Sequence, residues 1–276
     1  MLAWSLIPQG IPDTTLFLVV GSLAAMVFGM SKTGFGSGIS ILAVPLMIYA
    51  CSHKAALAVG IMLPILVVAD YVAVISWWKR WSVSTVLSLL PSTVLGIVLG
   101  AAALAVFQQM KIDPKTSSAN SWLMLGIGII ALGFVVLHVL NRFMGRTEAF
   151  RPRKRHTVLT GTAAGFTSTL AHAAGPVITM YLLPQKRSKG AYVATTALFF
   201  WTANQIKLIP YLCLNMINTE TLGAGLVLMP AIIAGAMLGR FLHNKVGPTQ
   251  FTVIVYLLLA VAGGHMCYKA LVQLTG

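Results

Sequence analysis

Two apolar stretches of this 276-residue chain are cut by glycine-rich polar segments, at matching places in its two halves. The first cut reads Gly29-Met-Ser-Lys-Thr-Gly-Phe-Gly-Ser-Gly38 and runs into Ile39-Ser-Ile-Leu-Ala-Val-Pro45. The second reads Gly165-Phe-Thr-Ser-Thr-Leu-Ala-His-Ala-Ala-Gly175-Pro176. Lipid offers no hydrogen bonds, so irregular backbone at membrane depth survives only inside protein or along a wet cavity. Breaks in corresponding positions of two halves are the sequence pointer to the substrate site of a secondary transporter.

That the chain lies in lipid follows from its composition. It is 58% hydrophobic and 9% charged, against about 25% charged in a soluble domain. Such a sequence cannot clothe a water-facing surface, and the expected fold is an all-α polytopic membrane protein. The apolar runs are continuous, which excludes the alternating pattern of an outer-membrane barrel. A net charge of +14 sits in short loops between the runs and reads as topogenic charge, not as a nucleic-acid surface. Cys51, Cys213 and Cys267 lie in or beside apolar runs with no spacing for a disulfide framework or a metal. No cofactor and no metal is expected.

Full-length spans are predicted at Ala55–Trp77, Val83–Phe107, Ser121–Leu140, Ala191–Leu212, Leu222–Phe241 and Phe251–Leu271, each close to the ~20 residues a crossing needs. Thr14–Cys51 and Thr157–Leu183 are the two broken regions. If each crossed once, the Lys and Arg residues would divide 9 to 8 between the two sides. If each is a re-entrant hairpin, they divide 13 to 4, with Lys32 and Lys207 left inside the membrane. The second division obeys the positive-inside rule. It places the basic loop holding Arg142, Arg146, Arg151, Arg153, Lys154 and Arg155 in the cytoplasm.

Pro91, Gly96 and Gly100 recur as Pro230, Gly235 and Gly239 at one constant offset. Gly29 maps near Gly165, and Asp70 near Gln205. The expected architecture is two inverted-topology repeats, each a broken, re-entrant helical hairpin followed by three transmembrane helices. Residues 1–140 form the first repeat, 141–156 a basic cytoplasmic linker and 157–276 the second. Three crossings per half invert the second half and put both termini outside, in a cell (inner or plasma) membrane.

In this arrangement helices starting near Ile39 and Pro176 aim their N-terminal amides at the midplane from opposite sides, where they attract anions. The candidate substrate-binding residues are Ser31, Lys32, Thr33, Gly34, Phe35, Gly36, Ser37, Gly38, Thr167, Ser168, Thr169, His172, Gly175, Asn204, Gln205 and Lys207. A lysine at membrane depth costs about 2.5–3.5 kcal/mol on insertion scales, so Lys32 and Lys207 either meet a ligand or reach an interface. Asp70 is a proton carrier or the ion-pair partner of a lysine. His172 binds substrate, titrates, or makes a structural hydrogen bond.

At these residues the chain resembles the TauE/SafE family of membrane transporters, described as sulfite exporters. The resemblance rests on "GMSKTGFGSGISILAVPLM" (Gly29–Met47), "GFTSTLAHAAGPVITMYLL" (Gly165–Leu183), "ATTALFFWTANQIKLIPY" (Ala194–Tyr211) and the paired Pro-Gly helices. One departure is Ala174, where a double glycine before proline is more usual. The resemblance implies export of sulfite or of an organosulfonate such as sulfoacetate. The residues alone say only "anion". A secondary transporter is therefore expected, with Asp70 and His172 as the candidates for proton coupling. An anion channel and a carrier of another small organic acid are the alternatives, and an enzyme is not expected. The expected partners are a small anionic substrate, the lipid bilayer and a second copy of the chain, with Gly96–Gly100 a candidate contact surface.

Overall fold

The computed structural model describes residues 6–8, 11–35, 40–109, 118–143, 153–185, 188–242 and 248–275. Among these the chain is helical throughout, with no strand. The helices are α1 (Thr14–Met30), α2 (Ala43–Ala50), α3 (Ala55–Ser76), α4 (Val83–Gln109) and α5 (Ser118–Phe143). The second half supplies α6 (Lys154–Ala171), α7 (Gly175–Leu182), α8 (Lys189–Cys213), α9 (Thr219–Leu242) and α10 (Pro248–Thr275). By length and composition, Thr14–Gly34, Ala55–Ser76, Val83–Gln109, Asn120–Leu137 and Thr219–Leu242 are each able to cross a membrane. Large apolar side chains stand exposed along the outside, among them Leu95 and Val98 on α4, Met237 and Phe241 on α9, and Val261 on α10. In water such a surface would aggregate; in lipid it is solvated.

Both broken regions are interrupted where the sequence predicts. α1 passes into a π-helical turn, Ser31–Phe35, and the chain resumes as a 3₁₀ turn, Ser40–Leu42, before α2. The new α-helix therefore starts at Ala43, a turn later than Ile39. α6 ends at Ala171, and His172 caps it in the left-handed conformation (φ 48°). α7 then starts at Gly175, with Pro176 in its first turn. α6 opens at Lys154, so part of the basic linker is already helix.

The packing repeats between the halves. α1 lies along α9 as α6 lies along α4, and the contacts match glycine by glycine. A Cβ on Gly29 would strike the Ile232 carbonyl and the Ala236 amide; one on Gly165 would strike the equivalent Thr93 carbonyl and Ile97 amide. Gly235 faces the Met26 carbonyl as Gly96 faces that of Thr162. Only glycine permits backbones this close. Both pairs run parallel, since Gly235 and Gly239 meet Met26 and Met30 in the same order, as Gly96 and Gly100 meet Thr162 and Phe166. Gly96 and Gly100, a candidate dimer contact, are thus used within the protomer.

α3 and α8 instead run antiparallel through the centre. Gly190, at the start of α8, lies against Trp77 at the end of α3, and Gly60, near the start of α3, faces the Met216 carbonyl beyond the end of α8. α5 and α10 are antiparallel too: Ser121 donates to Gln273 at 2.8 Å, while Ala131 meets Gly263. The α3–α8 pair, flanked by both breaks, positions the site.

Candidate functional site

Asp70 sits in the last third of α3 and is fully buried. Its Oδ1 accepts from the Lys32 ammonium at 2.6 Å, and its Oδ2 from the Asn204 amide at 2.5 Å. A carboxylate only accepts, so this bond fixes which end of the Asn204 amide is nitrogen. Lys32 belongs to the π-helical turn; such turns are rare and concentrate at functional sites. Its ammonium stands 4.0 Å from the Phe200 ring centroid and 5.7 Å from that of Phe28. The aromatic faces add cation–π attraction.

Lys207, two turns from Phe200 on α8, reaches the second break. Its ammonium has three acceptors, one for each proton: the Ser168 carbonyl at 3.0 Å, the Ser168 hydroxyl at 3.1 Å and His172 Nδ1 at 2.8 Å. His172 Nε2 lies 2.9 Å from the Val59 carbonyl of α3. A carbonyl accepts only, so Nε2 carries the proton and Nδ1 offers its lone pair to Lys207. The bonds thus select one neutral tautomer of His172. The left-handed backbone at His172 is uncommon for a side chain other than glycine, and it folds the imidazole back between α3 and α8.

Phe28, Lys32, Ser40, Leu66, Ser168, His172, Phe200 and Asn204 line one gap of about 200 Å³, too narrow to admit a water-sized sphere. Side chains from both breaks and from α3 and α8 line it. Ser40 lines it from the 3₁₀ turn that leads into α2, no described lining residue belongs to α7, and the charged and polar side chains facing the gap are those of lysine, histidine, serine and asparagine. The Oδ1 of Asn204 and the hydroxyl of Ser31 are buried without a partner among the described residues. Lys32, Asp70 and Lys207 are buried together, and only Lys32 has a carboxylate partner among the described residues. With both lysines protonated, the cluster holds one positive charge more than its carboxylate cancels.

The sequence candidates divide accordingly. Lys32, Ser168, His172 and Asn204 line the gap, with Asp70 and Lys207 bonded directly to them. Thr33 and Thr169 do not line it. Their hydroxyls approach the carbonyls of Gly29 and Gly165, and that of Thr33 donates to Ala236 on α9 at 2.5 Å. Gly34 packs on Gly239, Thr167 bonds back to Ala163, and Gly175 is buried at the start of α7. Gln205 points away from Asn204's face, with its Nε2 buried and unpartnered among the described residues. Gly36, Ser37 and Gly38, and the Phe35 side chain, lie outside the described residues. Sequence reasoning missed Phe28, Ser40, Leu66 and Phe200. Helical spacing holds the signal: Phe200, Asn204, Lys207 and Tyr211 share one face of α8, and Leu66, Asp70 and Trp77 one face of α3.

A family model described as sulfite exporter TauE/SafE matches residues 19–266, nearly the whole chain. Neither the curated proteins nor the solved structures compared with it gave a match. The match spans both breaks, the α3–α8 pair and every residue of the buried charge cluster, and so the chain belongs to the sulfite exporter TauE/SafE family of multi-pass membrane transporters.

Proposed function

We propose that this protein is a secondary carrier that moves a small sulfur oxyanion, sulfite or an organosulfonate such as sulfoacetate, out of the cell. The carrying observation is that the buried Lys32–Asp70–Lys207 cluster sets two lysines against one carboxylate, which leaves one positive charge uncompensated when both lysines are protonated. A buried charge without a partner costs several kcal/mol, and one monoanion would cancel it. A trioxo sulfur head also suits the donors at hand: two ammonium groups, the Ser168 hydroxyl and the Asn204 amide.

The matched contacts of the two halves, with α3 antiparallel to α8 and α5 to α10, support reading the halves as inverted-topology repeats around this centre. The basic residues near Trp77 and at the start of α6 then mark the cytoplasmic face of the inner or plasma membrane, with both termini outside. An inside-negative potential favours anion exit by about 2.3 kcal/mol per charge per 100 mV, so export proceeds without ATP. Asp70 is held as an ion pair and His172 as the neutral tautomer, which supports charge compensation as their role ahead of proton carriage. The gap admits no water-sized sphere, which favours a carrier working by alternating access over an open channel.

The test is radiolabelled sulfite and sulfoacetate uptake into liposomes holding the purified protein. Saturable uptake with counterflow is expected. Flux that never saturates and shows no counterflow, or none for either anion, would overturn the reading.

A further inference from the structure

The equivalence of the halves extends beyond the gap to two aromatic side chains. The Trp77 indole N–H donates to the Thr33 carbonyl at 3.1 Å, and the Tyr211 hydroxyl donates to the Thr169 carbonyl at 2.6 Å. Thr33 and Thr169 are equivalent residues. Each follows the residue of its break that faces the gap (Lys32 or Ser168). Each places its hydroxyl near the carbonyl four residues back, and they pack on the equivalent Gly239 and Gly100. Trp77 and Tyr211 are both almost fully buried. They stand at opposite ends of α8, since Trp77 lies against Gly190, roughly 30 Å from Tyr211 at 1.5 Å per residue.

We infer that Trp77 and Tyr211 are the two gating residues of the carrier, each locking one break by a bond to the equivalent backbone carbonyl. This rests on the carrier reading above. Thr169 is in the last turn of α6, where carbonyls lose their intrahelical donors. The His172 and Ala173 amides return to Ser168 and Thr167 and pass Thr169 by. Thr33 lies at the centre of the π-helical turn of the first break. When a gate swings away, the bared carbonyl must find water, so opening one end is coupled to wetting that end alone. With both bonds made, as here, the gap is too narrow for a water-sized sphere.

The gates differ in what surrounds them. The Arg240 guanidinium lies 4.0 Å from the Trp77 ring centroid and that of Arg80 5.8 Å, neither with a carboxylate partner among the described residues. The Tyr211 ring instead faces inward, 5.9 Å from His172 and 5.7 Å from the Lys207 ammonium. The Trp77 end gathers anions from outside the gap, and the Tyr211 end touches the groups that hold them. That polarity suits loading past Trp77 and release past Tyr211.

The test uses the full chain in oriented liposomes, with Cys51, Cys213 and Cys267 changed to alanine and Leu66→Cys as reporter in the gap. A membrane-impermeant thiol reagent is applied from one face at a time. Trp77→Phe should raise labelling from the Arg80 and Arg240 face about fivefold to tenfold, the worth of one hydrogen bond, and leave the other face unchanged. Tyr211→Phe, which removes a single oxygen, should do the reverse and stands alone if Trp77→Phe does not fold. Trp77→His, which restores a ring N–H, should return labelling toward the parent. Equal changes from both faces, or none, would overturn the assignment. Sulfite flux in the parent is scored separately. One-sided labelling without flux would keep the gates and sink the substrate, and saturable flux without one-sided labelling would sink the gates alone.

Discussion

Lys207→Gln separates a lysine kept for an anion from one kept for the fold. The ammonium is buried, and its three hydrogen bonds go to Ser168 and His172 with no carboxylate among them. Taking it out of water costs several kcal/mol, and three bonds to a charged group return about 1.5–3 kcal/mol each. The two nearly cancel, so the glutamine, which keeps two donors, should shift the thermal midpoint in detergent by only a few degrees. An anion is another matter. Two unit charges 4 Å apart at an effective dielectric of 20 attract by about 4 kcal/mol, close to a thousandfold in affinity. Lys32 remains, so a loss of about two to three orders of magnitude in sulfite affinity is expected. The assay pairs the concentration dependence of radiolabelled sulfite uptake with the midpoint measured by size-exclusion fluorescence. A variant that unfolds many degrees earlier while keeping its affinity would refute the argument, because Lys207 would then be structural.

The ion pair and the close helix contacts give further tests. Lys32→Met or Asp70→Asn alone breaks a buried pair and should cost about 3–5 kcal/mol, while the double variant recovers most of it; thermal midpoints decide. Gly96→Ala and Gly235→Ala each drive a methyl into the backbone of a parallel partner and should destabilise equally, by about 1–3 kcal/mol. Gly133→Ala, with open space around it, should stabilise its helix by up to about 1 kcal/mol. His53, in the turn before α3, is held below the usual histidine range by burial first and then by Lys269 and His265. The unfolded chain therefore takes up the proton first, so stability should fall as pH drops through the ordinary histidine range, and His53→Gln should flatten that profile in a pH series of midpoints.

How legible this was in the sequence varies with the physics. Predicted spans such as Ala55–Trp77 match α3 (Ala55–Ser76) to a residue, because a lipid-facing run must be apolar along its whole length and ends where charge begins. The Pro91/Pro230 and Gly96/Gly235 offsets were visible because close backbone contact admits only glycine. Lys32, Asp70, Asn204 and Lys207 stood out because polar groups at that depth are expensive. Their partners were not legible. Lys32 belongs to Asp70, and Lys207 to Ser168 and His172, only through the crossing of α3 with α8, which no local pattern encodes. Thr33 and Thr169 were read as hydroxyl donors from composition alone; where those hydroxyls bond, on the preceding turn for Thr169 and on Ala236 of α9 for Thr33, depends on packing.

The pairing also locates the origin of the site's charge. Under the equivalence that maps Thr33 on Thr169, Lys32 maps on Ser168. The partner of Lys32 is Asp70; the partner of Ser168 is Lys207. Each half thus supplies one contact between its break and its following helix. In the first half that contact is cation to carboxylate, and in the second it is hydroxyl to cation. Two copies of the first would sum to zero charge and would have no use for an anion. Two copies of the second would bury two ammonium groups with no carboxylate and would be hard to close when empty. One of each leaves a single charge, which is tolerable while three acceptors hold Lys207 and is cancelled when a monoanion arrives. Moving the carboxylate across, in Asp70→Asn with Ser168→Asp, keeps the charge sum and shifts the free cation to Lys32. Sulfite uptake that survives this exchange, and that Lys207→Gln and Lys32→Gln in the same background each abolish by bringing the sum to zero, would show that the count of charges sets anion binding and the helix that carries each does not. Loss of uptake in a folded exchange variant would show that the position of Lys207 itself is required.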